Sequence, residues 1–191
     1  VGLDIPVIPV EHQYLVTEQH PEIMERKKAG LPEMGVLRES DASYYMREEA
    51  GGLLLGPYEV GAPACYVDGP AANSEYELFP DALERLEPYI VAAMNRVPAF
   101  GEVGIKKVYN GAIAYTPDGS PIIDRTPIDN LYLNCGWCYG GFKATPASGF
   151  CFAHTIAKDA PHEFNAPFTL DRFSRGTVID DKGQGPTPRM H

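Results

Sequence analysis

The chain is short of positive charge. Sixteen Lys and Arg residues stand against 26 Asp and Glu, a formal net charge of −10 over 191 residues. Without a basic stripe to neutralise phosphates, nucleic acid and anionic membrane surfaces are disfavoured as partners. No apolar run approaches the roughly 20 residues that span a bilayer. No leader peptide is visible and Val1 is not a natural start, so the sequence reads as a fragment, a processed piece or a trimmed form. Cysteine is scarce: Cys65, Cys135, Cys138 and Cys151 make no dense disulfide framework, which favours a reducing cytoplasm. Cys135-x-x-Cys138 lacks a second Cys or His pair at zinc spacing and a thioredoxin-like βαβ setting. It therefore reads as structural cysteines in a tight loop, with no metal. No strand is followed by G-x-G-x-x-G, so a dinucleotide-binding start is absent from this sequence.

What remains is ordinary globular material, 44% apolar and 22% charged, long enough for a sizeable core. Residues 5–17 are rich in Val, Ile and Tyr and predict a strand, with Pro6 and Pro9 marking an edge or irregular start. Residues 21–35 read as charged helix or loop. Residues 43–58 predict a β-hairpin turning at Ala50-Gly51-Gly52, and 61–74 a loop. Residues 80–97 predict an amphipathic helix with Leu83, Leu86, Ile90, Val91, Met94 and Val97 on the core face. Pro88 inside it predicts a kink or two shorter helices. Residues 103–115 predict a strand broken at Asn110-Gly111, and Thr116-Pro117-Asp118-Gly119 a turn. Short strands follow at 120–124 and 130–135, then a helix at 147–158 with Phe150, Ala153, His154 and Ala157 on one face. The expected class is α+β with a largely antiparallel sheet. The expected division is a substrate-binding part over 1–110, a C-terminal capping segment over 111–175, and a loosely ordered tail over 176–191.

The most informative stretch is Gly136-Trp137-Cys138-Tyr139-Gly140-Gly141-Phe142-Lys143-Ala144-Thr145-Pro146. Its glycines allow close backbone approach to a ligand. Lys143 at the mouth of such a turn is a fixed cation beside exposed amides, which suits an anionic or electron-rich ligand. Trp137, Tyr139 and Phe142 are suited to wall a flat ring system.

From these residues a resemblance emerges. Residues 130–154 (NLYLNCGWCYGGFKATPASGFCFAH), with Pro161-His162-Glu163 and Leu170-Asp171-Arg172-Phe173 downstream, resemble the C-terminal end of sarcosine oxidase β subunits. Glu11-His12-Gln13-Tyr14, residues 51–58 and Tyr115-Thr116-Pro117-Asp118-Gly119 are closer to dimethylglycine and sarcosine dehydrogenases. Both belong to the glycine/D-amino-acid oxidase superfamily of FAD-dependent amine oxidoreductases. The resemblance implies the second half of such an enzyme: the substrate part and the segment that covers the flavin, without the adenine site. It implies FAD as cofactor, with a second flavin, FMN, at a subunit interface left open. The implied partners are a small N-methyl amino acid and either an N-terminal FAD-binding portion or other subunits. The implied chemistry is hydride transfer from an N-methyl carbon to flavin. A non-catalytic interaction domain and a relative acting on another amino acid stay open as alternatives.

The resemblance also implies roles. Gly136, Trp137, Cys138, Tyr139, Gly140, Gly141, Phe142 and Lys143 would meet the flavin, and Lys143 would also face the substrate carboxylate. His12 and Tyr58 would face the substrate; a packed histidine and a core tyrosine are the plain alternatives. Some oxygen-reducing relatives carry a lysine in the strand matching Leu53-Leu54-Leu55, and here it is leucine, which favours an electron-transfer dehydrogenase. Lys106 and Lys107 are the cations able to substitute in space. Asp118 and Asp124 read as braces of turns, and His154 as a packing residue.

Overall fold

A computed structural model of the chain describes residues 2–177 and 179. The expected tail therefore falls almost wholly outside the described residues. The chain divides into two units: one holds the described residues of 1–10, 64–68 and 113–189, the other those of 11–63 and 69–112.

The second unit is built on a five-stranded sheet, of which residues 8–10 and 113–115 are counted in the first unit. Its strands are β1 (Ile8–Thr17), β2 (Leu37–Glu39), β3 (Tyr44–Glu49), β4 (Gly52–Pro57) and β5 (Ile105–Tyr115), in the order β2-β3-β4-β1-β5. The β2–β3, β3–β4 and β4–β1 pairings are antiparallel. The hairpin is where the sequence puts it. Glu49 pairs with Gly52, leaving Ala50 and Gly51 as a two-residue turn with φ of 51° and 87°. Both central residues take positive φ, as the twist of the flanking strands demands. Glycine adopts that conformation freely; alanine does so at a cost.

Strand alternation sorts this sheet into two faces. One face carries Leu15, Tyr44, Met46, Leu53, Leu55 and Val108, which form the core with Leu86 and Ala93 of the helix α2 (Leu83–Arg96). The helix is continuous through Pro88, so of the two expectations, a kink or two shorter helices, the second does not hold. Pro88 sits early in it and is exposed, so its ring meets solvent rather than packed neighbours. The core stripe also differs: Leu86, Tyr89, Ile90, Ala93 and Val97 turn inward, whereas Leu83, Val91 and Met94 are exposed. No side chain of the helix's own Ala82 can cap it. Gln13 of β1 does so instead, accepting from the Ala82 amide at 2.9 Å and donating to its carbonyl at 3.2 Å. A second helix, α1 (Pro21–Lys28), is N-capped by His20, whose Nδ1 accepts from the Glu22 amide at 3.2 Å.

β5 runs without the break expected at Asn110-Gly111. Asn110 is buried because its amide serves the fold: Nδ2 donates to Glu11 Oε2 at 2.8 Å and to the Pro80 carbonyl at 2.9 Å. Glu11 and Glu59 share Arg85, at 2.8 and 2.9 Å. Burial pushes Glu11 up, but the Asn110 bond and the Arg85 bond and charge outweigh it and leave its carboxyl below the ordinary value.

The first unit holds the antiparallel pair β6 (Ile122–Arg125) and β7 (Tyr132–Cys135), and the helix α3 (Gly141–Lys158) packed on β6. The helix begins six residues before the expected start. Its buried residues are Ser148, Cys151 and Thr155, rather than the Phe150, Ala153 and Ala157 face. Phe142 is 99% exposed and Phe150 71%, and Phe164 beyond the helix 70%. Small residues face inward because β6 lies close; the bulky ones face out. No described helix is long and apolar enough to cross a membrane.

Candidate functional site

The face of the second unit's sheet that turns away from the core is aromatic and cationic. Across it run Arg38 of β2, Tyr45 and Arg47 of β3, Leu54 and Gly56 of β4, His12, Tyr14 and Val16 of β1, and Lys107 and Tyr109 of β5. The alternation of each strand and the pairs Arg38↔Tyr45, Tyr45↔Gly56, Arg47↔Leu54 and Val16↔Leu54 put them there. Tyr14 stacks on Tyr109 with ring centres 4.8 Å apart, and the Lys107 ammonium lies 4.5 Å over the Tyr109 ring. A concavity of about 510 Å³ opens among Tyr14, Tyr45, Leu54, Lys107 and Tyr109, with Lys106 and the Arg47–Glu49 ion pair (2.6 Å) at its wall. Lys106 and Lys107 of β5 thus line the same concavity as Leu54 of the leucine strand.

His12 and Tyr58, chosen separately in the sequence, come to this face. The register of Leu15↔Leu55 and Val16↔Leu54, carried on past its last pair, would set His12 across from Tyr58. Arg38 donates to the Tyr58 hydroxyl at 2.6 Å, and Tyr45 packs on Tyr58 at 5.9 Å between ring centres. Gly56 makes room for this: a Cβ there would overlap the Tyr45 ring. Burial lowers the pKa of His12, with Glu59 opposing and Arg85 reinforcing the shift. The imidazole is thus neutral at neutral pH and able to accept a proton. Burial raises Tyr14 and Tyr45, so both phenols stay protonated donors.

In the first unit, the glycine segment divides at Gly140. Residues 136–140 form a turn and Gly141-Phe142-Lys143 are the first residues of α3. Gly136 has φ 67° and packs its α-carbon against Thr116, where a Cβ would come within 2.5 Å of the Thr116 methyl. Cys138, also at positive φ (51°), donates its amide to the Ala114 carbonyl at 3.0 Å. Burial raises its thiol pKa, although bonds with Thr116 pull the other way. Trp137 donates from its indole to Asn134 at 2.7 Å, and Asn134 also bonds Ser148 of α3 at 3.0 Å. Tyr139 meets Tyr115 edge-on at 6.5 Å. The first turn of α3 has no side-chain cap and no acid. The amides of Gly141, Phe142 and Lys143 have no carbonyl four residues back within the helix. Lys143 is exposed, its ammonium 5.7 Å from the Tyr139 ring.

Asp118 and Asp124 brace turns, as their sequence setting suggested. The Asp118 side chain is fully buried and takes both Arg172 Nε (2.8 Å) and Nη2 (2.9 Å). Asp124 accepts from the Leu170 amide at 2.8 Å. His154 packs edge-on against His162 at 5.0 Å. The four cysteines are free, and among the described residues no cluster of His, Cys, Asp and Glu could hold a metal ion. Sequence reasoning missed the tyrosine-rich face, the Arg85 network and the Arg172–Asp118 pair. The first was legible in the alternation of Tyr45, Arg47 and Glu49; the others join residues 26 to 99 positions apart.

Comparison with known proteins agrees with this architecture. Residues 1–155 match the model of the DAO family, FAD dependent oxidoreductase. The sarcosine oxidase subunit beta of Rhizobium meliloti (strain 1021) is 57% identical over 109 residues, covering 57% of this chain and 26% of that protein. The mitochondrial dimethylglycine dehydrogenase of Rattus norvegicus is 38% identical over 146 residues, 73% of this chain and 17% of that protein. The crystal structure of L-proline dehydrogenase from P. horikoshii superposes with a TM-score of 0.69 at 22% identity, over 94% of this chain and 43% of that one. The chain thus spans between 17% and 43% of the length of these relatives. With a family model matched along most of its length and the same fold recovered in three dimensions, the chain belongs to the DAO family of FAD dependent oxidoreductases.

Proposed function

We propose that this chain is the substrate-binding and flavin-capping part of an FAD-dependent oxidoreductase that oxidises an N-methylated glycine, sarcosine or dimethylglycine. The observation that carries the reading is the sheet face of the second unit. It combines a neutral His12, the Tyr58 hydroxyl, a tyrosine-walled concavity and the Lys107 ammonium in a chain of net charge −10, with Arg47 beside it ion-paired to Glu49 at 2.6 Å. An amino acid needs a cation for its carboxylate and an acceptor for its amine proton, and this face offers both. His12 would take the amine proton, and Tyr58, held by Arg38, would donate to the substrate. The substrate class rests on the likeness to sarcosine oxidase subunit beta and dimethylglycine dehydrogenase. Residues 1–110 would carry the substrate and 111–175 the flavin contacts.

The turn in the first unit fits a flavin on its own chemistry. The glycines themselves answer to internal packing, since a Cβ would collide with Thr116 at Gly136 or crowd Trp137 at Gly140 and Gly141, and Gly136 is buried; what the segment offers a ligand is its helix start and its cation. The open amides at the start of α3 and the Lys143 ammonium favour negative charge nearby. Trp137, Cys138, Tyr139 and Phe142 complete the set that would hold the ring, and FAD would supply the two-electron acceptor. A carboxylate about 4 Å from Lys143 gains roughly 4 kcal/mol at an effective dielectric near 20, before desolvation. The reading requires the remainder of such a protein, an N-terminal FAD-binding portion or other subunits, to close a cleft over Lys143. A second flavin, FMN, at a subunit interface and a cytoplasmic setting belong to the same proposal.

The test is steady-state oxidation of sarcosine and dimethylglycine by the full-length enzyme and its Lys143→Ala and His12→Gln variants. The expected result is a loss of at least tenfold in kcat/KM for each, with an altered flavin absorption spectrum in Lys143→Ala. Unchanged kinetics and spectrum in both would overturn the assignment.

A further inference from the structure

Arg172 lies in a four-residue helix, Arg172–Arg175, far along the chain from the glycine turn, yet its side chain is only 1% exposed. Its guanidinium makes a two-pronged bond to Asp118, and donates further to the carbonyls of Thr169 (2.9 Å) and Ser120 (2.9 Å). Asp118 also accepts from the amides of Ser120 (3.1 Å) and Ile179 (3.1 Å) and from the Thr116 hydroxyl (3.2 Å). Burial alone would push the Asp118 carboxyl up. The Arg172 bond, the two amides and the Arg172 charge hold it below the ordinary range, so it stays ionised.

This pair does not end on itself. The one proton of the Thr116 hydroxyl goes chiefly to the Ser120 carbonyl (2.7 Å) and only distantly to Asp118 (3.2 Å), and Ser120 is itself held by Asp118 and Arg172, so the pair orients the Thr116 methyl. That methyl is the surface on which Gly136 rests, at a distance that excludes any side chain. Two residues on, Cys138 is tied back to Ala114, next to Tyr115 and Thr116. A side chain at residue 172 therefore reaches the glycine turn through three successive contacts, Arg172 to Asp118, Asp118 to Thr116 and Thr116 to Gly136, all within one unit.

We propose that Arg172 and Asp118 are positioning residues for the flavin: the buried pair fixes Thr116, and Thr116 fixes the height and pitch of the turn from Gly136 to Gly140. This rests on the reading above that the turn meets the flavin. A desolvated two-pronged ion pair suits the role because it has one geometry, whereas a looser contact would let the turn rock. Neither residue touches a reacting atom.

The experiment uses the flavin-loaded full-length enzyme. Arg172→Lys keeps the charge and loses the two-pronged bond. Thr116→Ser keeps the hydroxyl and loses the methyl under Gly136, and it guards against a folding failure of the first variant. Flavin dissociation constant, visible flavin spectrum and melting temperature are measured for both, with Lys143→Ala as reference. The expected result is a folded Thr116→Ser enzyme that binds flavin at least threefold more weakly and shows a shifted or broadened flavin band, with Arg172→Lys, where folded, weaker by tenfold or more. If Thr116→Ser melts lower but keeps the wild-type flavin affinity and spectrum while Lys143→Ala loses them, the pair is a brace of the fold only and the inference fails. If Lys143→Ala also keeps both, it is the underlying flavin reading that fails.

Discussion

Gly56 offers the sharpest test of the sheet face. Its Cα lies beneath the Tyr45 ring, and an added methyl would overlap ring and hydroxyl alike. In Gly56→Ala the ring must swing away. Alanine in place of strand glycine is by itself worth about 0.5–1 kcal/mol in favour of the fold. Forcing an extra carbon into a filled site costs about 1–3 kcal/mol. The displaced ring also gives up its packing on Tyr58, 5.9 Å away, an aromatic pair worth about 0.5–1.5 kcal/mol. The balance is a loss near 2 kcal/mol, which for a chain of this size lowers the melting temperature by roughly 4–8 °C. Thermal unfolding followed by circular dichroism measures it. A cycle with Tyr45→Ala isolates the cause: once the ring is gone, Gly56→Ala should be neutral or stabilising. If it lowers the melting temperature equally in both backgrounds, the ring is not what the glycine accommodates.

Four further outcomes are expected. Arg85→Met strips the guanidinium from Glu59, whose side chain is 2% exposed, and should cost about 3 kcal/mol in urea unfolding; a midpoint within error of wild type would contradict the network. Asp118 is more acidic folded than unfolded, so the stability it contributes is present above its unfolded pKa of about 4 and disappears as pH falls through the lower folded value. Unfolding free energies from pH 7 to 2 should fall steeply at the acid end in wild type and less steeply in Asp118→Asn. His12 is also depressed; its contribution is complete above about pH 6.5 and declines as pH drops below that, and His12→Gln should remove that part of the pH–stability curve. Ala50 sits at φ 51°, so Ala50→Asn, better suited to the left-handed region, should raise the unfolding free energy from urea titration by up to about 1 kcal/mol; a lower value would argue against a strained turn.

Local chemistry made the hairpin, the Thr116–Gly119 turn and the strands of the first unit legible, because each is set by residues adjacent in sequence. Where the expectations failed, tertiary contacts decided. Asn110 looked like a strand breaker beside Gly111, but the part-buried Glu11 carboxylate and the Pro80 carbonyl claim its amide, and β5 runs on through it. The glycines before Lys143 looked like loop, yet Gly140 supplies the carbonyl that the Ala144 amide closes on at 3.2 Å, and the helix starts there. The burial of α3 inverted the apolar reading because β6 approaches its small residues. Of the candidate site, His12 and Tyr58 were legible as individual residues. Their meeting on one face follows from strand register, which no single segment reveals.

The outward aromatics of α3 carry a practical consequence. Phe142 and Phe150, with Phe164 close behind in sequence, present bare hydrocarbon to water, each giving up the roughly 2–3 kcal/mol that enclosure of such a ring returns. A preparation of this polypeptide alone should be sticky, prone to self-association and dependent on mild detergent or low concentration. Anyone wishing to cut a well-behaved piece from such a protein would begin by repainting those rings with polar groups, and would leave Ser148, Cys151 and Thr155 untouched.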